Sequence, residues 1–250
     1  MRVLSIYNMK GGVGKTAAAV NLGYLAAAEG KRVLIWDLDP QGAASFYFRV
    51  KPKVKGGGKK IVKGKGGLGE LIKGTDFDNL DLLPSDFSYR DLDLRFSKEK
   101  QSRLKRLIDP LRKEYDLIVF DCPPSISELS EQVFRASHLL LVPLVPTTLS
   151  LRTLDQLRGF MKKEKVRKLK VRTFFSMVDR RKNMHRDILE GFPAKEKWGQ
   201  EELGLAAFIP YSSIVEKMGE ERRPVIAYAP KSAPAQSFRE LWSQVDKLLG

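Results

Sequence analysis

The chain has 250 residues, 42% of them hydrophobic, which is enough for one α/β core; its single Cys excludes a disulfide framework and any multi-cysteine metal site. Lys and Arg number 45 against 30 Asp and Glu, a formal net charge of +15, so a polyanionic partner is expected. No apolar stretch approaches the ~18 residues needed to cross a bilayer, and the first residues already read as a core strand rather than a leader.

An apolar run over 3–7 reads as the first strand. It leads into Lys10-Gly11-Gly12-Val13-Gly14-Lys15-Thr16 and then an Ala-rich helical stretch over 17–28. A Gly-rich turn between strand and helix lets successive backbone N–H groups converge on a phosphate chain at the positive end of the helix dipole. In such a turn Lys15 reaches the β- and γ-phosphates and the Thr16 hydroxyl holds Mg²⁺, while Ala17 offers an N–H but no hydroxyl. The ordinary phosphate-loop pattern places a Gly five residues before Gly14. Met9 stands there instead, and a second lysine, Lys10, stands at the entrance.

A second strand over 31–35 ends in Trp36-Asp37-Leu38-Asp39-Pro40-Gln41-Gly42. Carboxylates at i and i+2 on a strand end point to the same side, so Asp37 and Asp39 can both face a phosphate–Mg²⁺ site. Residues 49–67 follow, with Lys51, Lys53, Lys55, Lys59, Lys60, Lys63 and Lys65 uninterrupted by any acid and with Gly56-Gly57-Gly58 and Gly66-Gly67 among them. This stretch reads as a flexible basic loop suited to sequence-blind contact with nucleic-acid phosphates.

The near-continuous apolar run 115–120 reads as a buried parallel strand, and Asp121 at its C-terminal end is placed to hold Mg²⁺. Cys122 reads as a small core residue. Strands alternate with helical segments along the chain. That alternation is the mark of a single-domain α/β fold spanning 1–250, a mostly parallel twisted sheet with helices on both faces. His138 and His185 have no second ligand at metal spacing. Basic clusters lie at 98–113, at 162–172, and at Arg180-Arg181-Lys182 with Arg186. Over 237–249, Phe238, Leu241, Trp242, Val245, Leu248 and Leu249 recur at helical spacing. Glu240 and Asp246 on that helix favour core packing over membrane insertion. No zinc-finger or helix-turn-helix signature is present, so sequence-specific DNA readout has no vehicle.

Lys10 paired with Lys15, the Asp37–Gly42 motif and Asp121-Cys122-Pro123-Pro124 together resemble the deviant Walker A class of P-loop ATPases, the sandwich-dimer ParA/MinD family, and its ParA/Soj partition branch in particular. The likeness runs along nearly the whole chain except residues 49–67, and it implies strands over 79–85 and 139–143, a helix beginning at 151–157, a strand and loop over 174–181 and a strand at 208–210. The resemblance implies ATP and Mg²⁺ as ligands. Lys10, Gly11, Gly12, Val13, Gly14, Lys15, Thr16 and Ala17 would form the phosphate cradle, Met177 and Pro210 would line the adenine, and Thr16, Asp37 and Asp121 would serve the metal. Asp39 would position the attacking water, and Lys10 would cross a nucleotide-bridged homodimer to the partner's phosphates, so that Lys10, Lys15 and Asp39 carry the catalysis.

The function so implied is a slow, partner-stimulated ATPase, cytoplasmic and nucleoid-associated. It dimerises on ATP, binds DNA non-specifically, and is released on hydrolysis by a ParB-like cargo partner. A MinD-like membrane-cycling ATPase and a regulatory ATPase acting through protein contacts alone are the alternatives. The single Cys argues against the iron–sulfur branch. Residues 211–215 lack the arginines that many relatives carry there, and Arg222 and Arg223 are the substitutes.

Overall fold

The computed structural model describes residues 1–63, 67–96, 103–166, 169–195, 197–198 and 201–250. Among them the strands are β1 (Arg2–Ile6), β2 (Val33–Asp37), β3 (Lys73–Gly74), β4 (Leu80–Leu83), β5 (Leu117–Asp121), β6 (Leu139–Leu144), β7 (Lys170–Val178), β8 (Lys197–Trp198), β9 (Glu201–Glu202) and β10 (Gly204–Pro210). All but β8 and β9 form one sheet in the order β10-β7-β6-β1-β5-β2-β4-β3, parallel throughout except for the edge strand β3. Parallel strands need covering on both faces, and every residue of β2, β5 and β6 is buried, which is why those segments read as unbroken apolar runs.

Side-chain alternation sends Val3, Leu34, Trp36, Ile118 and Phe120 to one face and Leu4, Ile6, Val33, Ile35 and Val119 to the other. Helices Glu128–Ala136, Thr148–Lys163 and Asn183–Lys195 cover the first face. Helix α1 (Lys15–Ala28) and the helix Ala233–Leu249 cover the second. The latter buries Phe238, Leu241, Trp242, Val245 and Leu249, in keeping with core packing. Among the described residues no helix is long and apolar enough to cross a membrane.

The stretch expected as a flexible loop over 49–67 is folded as far as it is described. Gly57–Lys63 is a helix, Val54, Ile61 and Val62 are buried in the core, and Lys60 pairs with Glu70 at 2.7 Å. Burying three aliphatic side chains outweighs the ordering cost of the glycines. The glycines serve close approach instead. Gly57 sits at φ +56, and a Cβ there would lie 2.5 Å from Ser88 Oγ; one on Gly58 would lie 2.9 Å from Leu92 Cδ2. Lys51, Lys53, Lys55 and Lys59 remain exposed on this unit. Lys65 lies outside the described residues, as do parts of the basic clusters expected at 98–113 and 162–172.

Candidate functional site

The β1–β5 and β2–β5 registers set Ile6 and Asp37 each opposite Asp121, so three strands end in one row at the C-terminal edge of the sheet. Ligands of open parallel sheets bind at this edge. The chain leaves β1 through Tyr7 and Asn8. Asn8, buried, donates from Nδ2 to the Pro143 carbonyl at 2.7 Å and accepts the Lys10 N–H on Oδ1 at 2.9 Å, which ties the turn to the end of β6.

Gly12 at φ +71 and Gly14 at φ +87 then curl the backbone into a cradle that side chains would forbid; a Cβ on Gly14 would also lie 2.7 Å from Ser176 Oγ. Helix α1 starts at Lys15 with no side-chain cap and no acid in its first turn, so its first N–H groups have no partner within the helix and suit an anion.

Lys15 is buried, and its ammonium donates back to the Lys10 carbonyl at 3.0 Å. Burial pushes its pKa below the usual lysine range, and the attraction of Asp121 and Asp39 offsets this in part. Lys10 is exposed, and no described acid pairs with its ammonium. A cleft of about 370 Å³ opens over the turn. Gly11, Gly12, Gly14, Lys15, Thr16, Ala17 and Asp39 line one side of it, with Met177, Pro210 and Tyr211 on the other. Val13 is buried and is not among the residues lining the cleft. Met177 holds φ +57 at the end of β7, a left-handed backbone that costs a non-glycine residue about 1–2 kcal/mol. Strain of this kind gathers at ligand sites.

Asp37 and Asp121 lie under the cleft, both fully buried. Asp37 accepts the Ser45 N–H and hydroxyl at 2.8 and 2.7 Å, yet burial still raises its carboxyl pKa. Asp121 is less well served: neither of its oxygens accepts a well-formed hydrogen bond from a described residue. Burial, then the nearby Asp37, push its pKa far up, with Thr16 and Lys15 opposing. A buried carboxylate left in this state, beside a threonine hydroxyl and a phosphate cradle, fits a hard divalent cation. Mg²⁺ characteristically takes one or two carboxylates together with substrate phosphates. Among the described residues no cluster of three or more His, Cys, Asp or Glu could cage a metal alone.

Burial raises the Cys122 thiol pKa far above its usual value. His138 Nδ1 accepts the Val3 N–H and His185 Nδ1 accepts the Asp179 N–H, each at 3.0 Å. Arg222 stacks on Phe46 at 4.5 Å, and Arg223 pairs with Glu221 at 2.7 Å. The sequence pattern does not point to Asn8, Ser45 and Ser85, all buried polar residues that hold the site's backbone.

A family profile described as an AAA domain matches residues 1–173. The sporulation initiation inhibitor protein Soj of Bacillus subtilis is 30% identical over 251 residues, covering 98% of each chain. The chain belongs to the ParA/Soj family of P-loop ATPases. The chromosome partitioning protein ParA of Caulobacter vibrioides is 29% identical to this family member over 98% of the chain and 94% of its own length. Among solved structures, cobyrinic acid a,c-diamide synthase from Mycobacterium smegmatis with bound ATP analog and magnesium superposes with a TM-score of 0.80. It is 27% identical and covers 99% of this chain and 95% of its own.

Proposed function

We propose that this ParA/Soj-family chain is an ATP-driven partition or positioning switch on DNA. ATP enters the cleft with its phosphates on the Gly11–Ala17 backbone and the Lys15 ammonium, and its adenine against Met177 and Pro210. Mg²⁺, held by Thr16 and Asp121 with Asp37 behind them, supplies neutralisation of charge on the β- and γ-phosphates. Asp39 lines the cleft and orients the attacking water. Lys15 stabilises the charge that develops on the transferred phosphoryl group.

The observation that carries this reading is the division of labour between the two lysines. Lys15 is buried and tied to the Lys10 carbonyl, whereas Lys10 is exposed. A cation without a described partner at the mouth of a phosphate cradle suits the phosphates of a second subunit. Two subunits closing face to face over ATP place each Lys10 in the other's site, and the closed dimer joins two chains of net charge +15 each. Non-specific DNA then favours the dimer in proportion to its greater affinity for it. Hydrolysis opens the dimer and releases the DNA. A ParB-like cargo adaptor accelerates that step, placing the protein in the cytoplasm on the nucleoid. The apolar face of the Ala233–Leu249 helix is spent in the core, which weighs against its use as a membrane anchor.

Sedimentation velocity tests the switch. The native chain is expected to be monomeric with ADP and dimeric with ATP, and Lys10→Ala to bind ATP yet stay monomeric. Equal dimerisation by Lys10→Ala would refute the crossing role.

A further inference from the structure

We infer that Ser45 and Ser85 form a buried hydroxyl relay locking the Asp37 carboxylate to the main chain of Asp39, which makes Ser85 a positioning residue for hydrolysis. The inference rests on the reading that Asp39 orients the attacking water.

Ser45 belongs to the helix Ala43–Tyr47, and Ser85 follows β4. No spacing in the sequence joins them. The β2–β4 pairing does, by setting Trp36 opposite Leu83. Both serines are fully buried. Ser45 donates its N–H and its hydroxyl to Asp37 Oδ2, at 2.8 and 2.7 Å. The same hydroxyl oxygen accepts the Ser85 N–H at 2.9 Å. The Ser85 hydroxyl donates to the Asp39 carbonyl at 2.5 Å, and Asp37 Oδ1 closes the ring by accepting the Asp39 N–H at 3.3 Å.

Each hydroxyl carries one proton and each proton is committed, so the direction of every bond in the ring is fixed. The backbone of Asp39 is gripped at both ends, its N–H by Asp37 and its carbonyl by Ser85 and the Gly42 N–H. Its carboxylate is left at the cleft, where it accepts the Gln41 N–H at 2.9 Å. A group that orients a water must be held to fractions of an ångström, and a misplacement of ~1 Å from a remote change costs ~100-fold in rate. The relay supplies that constraint, and it ties Asp39 to the carboxylate that lies in register with Asp121.

The test measures kcat, KM for ATP and ADP affinity for Ser85→Ala, Ser45→Ala and the double variant in the full chain. Asp39→Ala and Ser137→Ala serve as references. Ser137→Ala removes a hydroxyl that pairs with Ser5 at 2.5 Å, outside the relay. Ser85→Ala is expected to lower kcat by roughly 10- to 100-fold while KM and ADP affinity hold, whereas Ser137→Ala keeps wild-type kcat. The double variant is expected to be no worse than Ser85→Ala, because a ring opened at one bond is already open. Ser85→Thr, which keeps the hydroxyl, recovers kcat. Should Ser85→Ala fail to fold, Ser45→Ala opens the same ring and is read in the same way. Wild-type kcat in Ser85→Ala beside an inactive Asp39→Ala overturns the relay, as does a fall of ADP affinity in step with kcat or full additivity of the two alanines. Wild-type turnover in Asp39→Ala overturns the hydrolytic reading of Asp39 instead.

Discussion

Asp37 and Asp121 stand opposite each other in the β2–β5 register, both fully buried, and the fold supplies hydrogen bonds to the first and none of normal geometry to the second. Two carboxyl groups side by side in a low-dielectric setting repel when ionised, and the structure holds this unfavourable pair at the foot of the phosphate cradle. The arrangement destabilises the apo chain, and a cation bound there would relieve it.

Asp121→Asn removes that repulsion. The apo variant is expected to be more stable by about 1–2 kcal/mol, a rise of roughly 2–8 °C in Tm for a chain of this size. The extra melting temperature that Mg²⁺ adds to the ATP-bound protein is expected to disappear. Thermal melts with and without Mg²⁺ and ATP check both signs.

The lysines divide cleanly in a nucleotide titration. Lys15→Ala takes the buried ammonium out of the cradle and is expected to abolish ATP and ADP binding together. Lys10→Ala leaves binding to the single subunit intact, because the Lys10 ammonium has no described partner within its own chain. Fluorescent-nucleotide titration at low protein concentration separates the two variants.

Asn8→Ala cuts the tie between the cradle and β6. It leaves the Pro143 carbonyl and the Lys10 N–H without the partners they have now. The expected loss is about 1–3 kcal/mol of stability, with weakened ADP affinity because the turn is no longer held. Chemical denaturation and an ADP titration check the two effects.

Acid stability has an identifiable contributor at the opposite edge of the sheet. Arg32 grips Asp116 through Nε at 3.1 Å, Nη2 at 2.8 Å and its own N–H at 2.9 Å. The Arg32 side-chain hydrogen bond, then the Arg32 backbone bond, hold the Asp116 carboxyl down to about 2. A carboxylate whose folded pKa is depressed stabilises the fold above its unfolded value of ~3.9, and that contribution is lost as pH falls towards 2. Arg32→Ala is therefore expected to flatten the stability profile between about pH 4 and 2 and to leave its slope near neutrality unchanged. A Tm series across pH in both proteins is the check.

The strand ends that meet at the candidate site are legible because parallel βα units write them as local patterns. An apolar run followed by Gly12, Gly14 and Lys15, or by Asp37 or Asp121, needs no knowledge of distant residues. Asn8, Ser45 and Ser85 are not legible, since each acts on a partner that only the sheet order brings near; Ser45 and Ser85 are 40 positions apart. The lysine-rich stretch misleads for a related reason. Its glycines look like flexibility in isolation, yet Gly57 and Gly58 are small because Ser88 and Leu92 press against them, and Val54 hangs from Asp86 at 2.8 Å. Met177 emerges only through the family resemblance, and its left-handed backbone has no sequence signal at all.

The folded lysine unit makes its own prediction. Replacing Lys51, Lys53, Lys55 and Lys59 by Gln spares the buried face formed by Val54, Ile61 and Val62 and so keeps the fold. The logarithmic salt slope of DNA binding is expected to fall by about 0.9 for each DNA phosphate that these lysines no longer neutralise. An unchanged slope assigns these lysines to solvated surface.

The most direct test is binding to a random-sequence DNA duplex with ATP, with ADP and without nucleotide, across a salt series. Tight binding with ATP alone, abolished steeply as salt rises, is the predicted result. Equal binding in all three states, or none in any, would contradict a nucleotide-gated DNA switch.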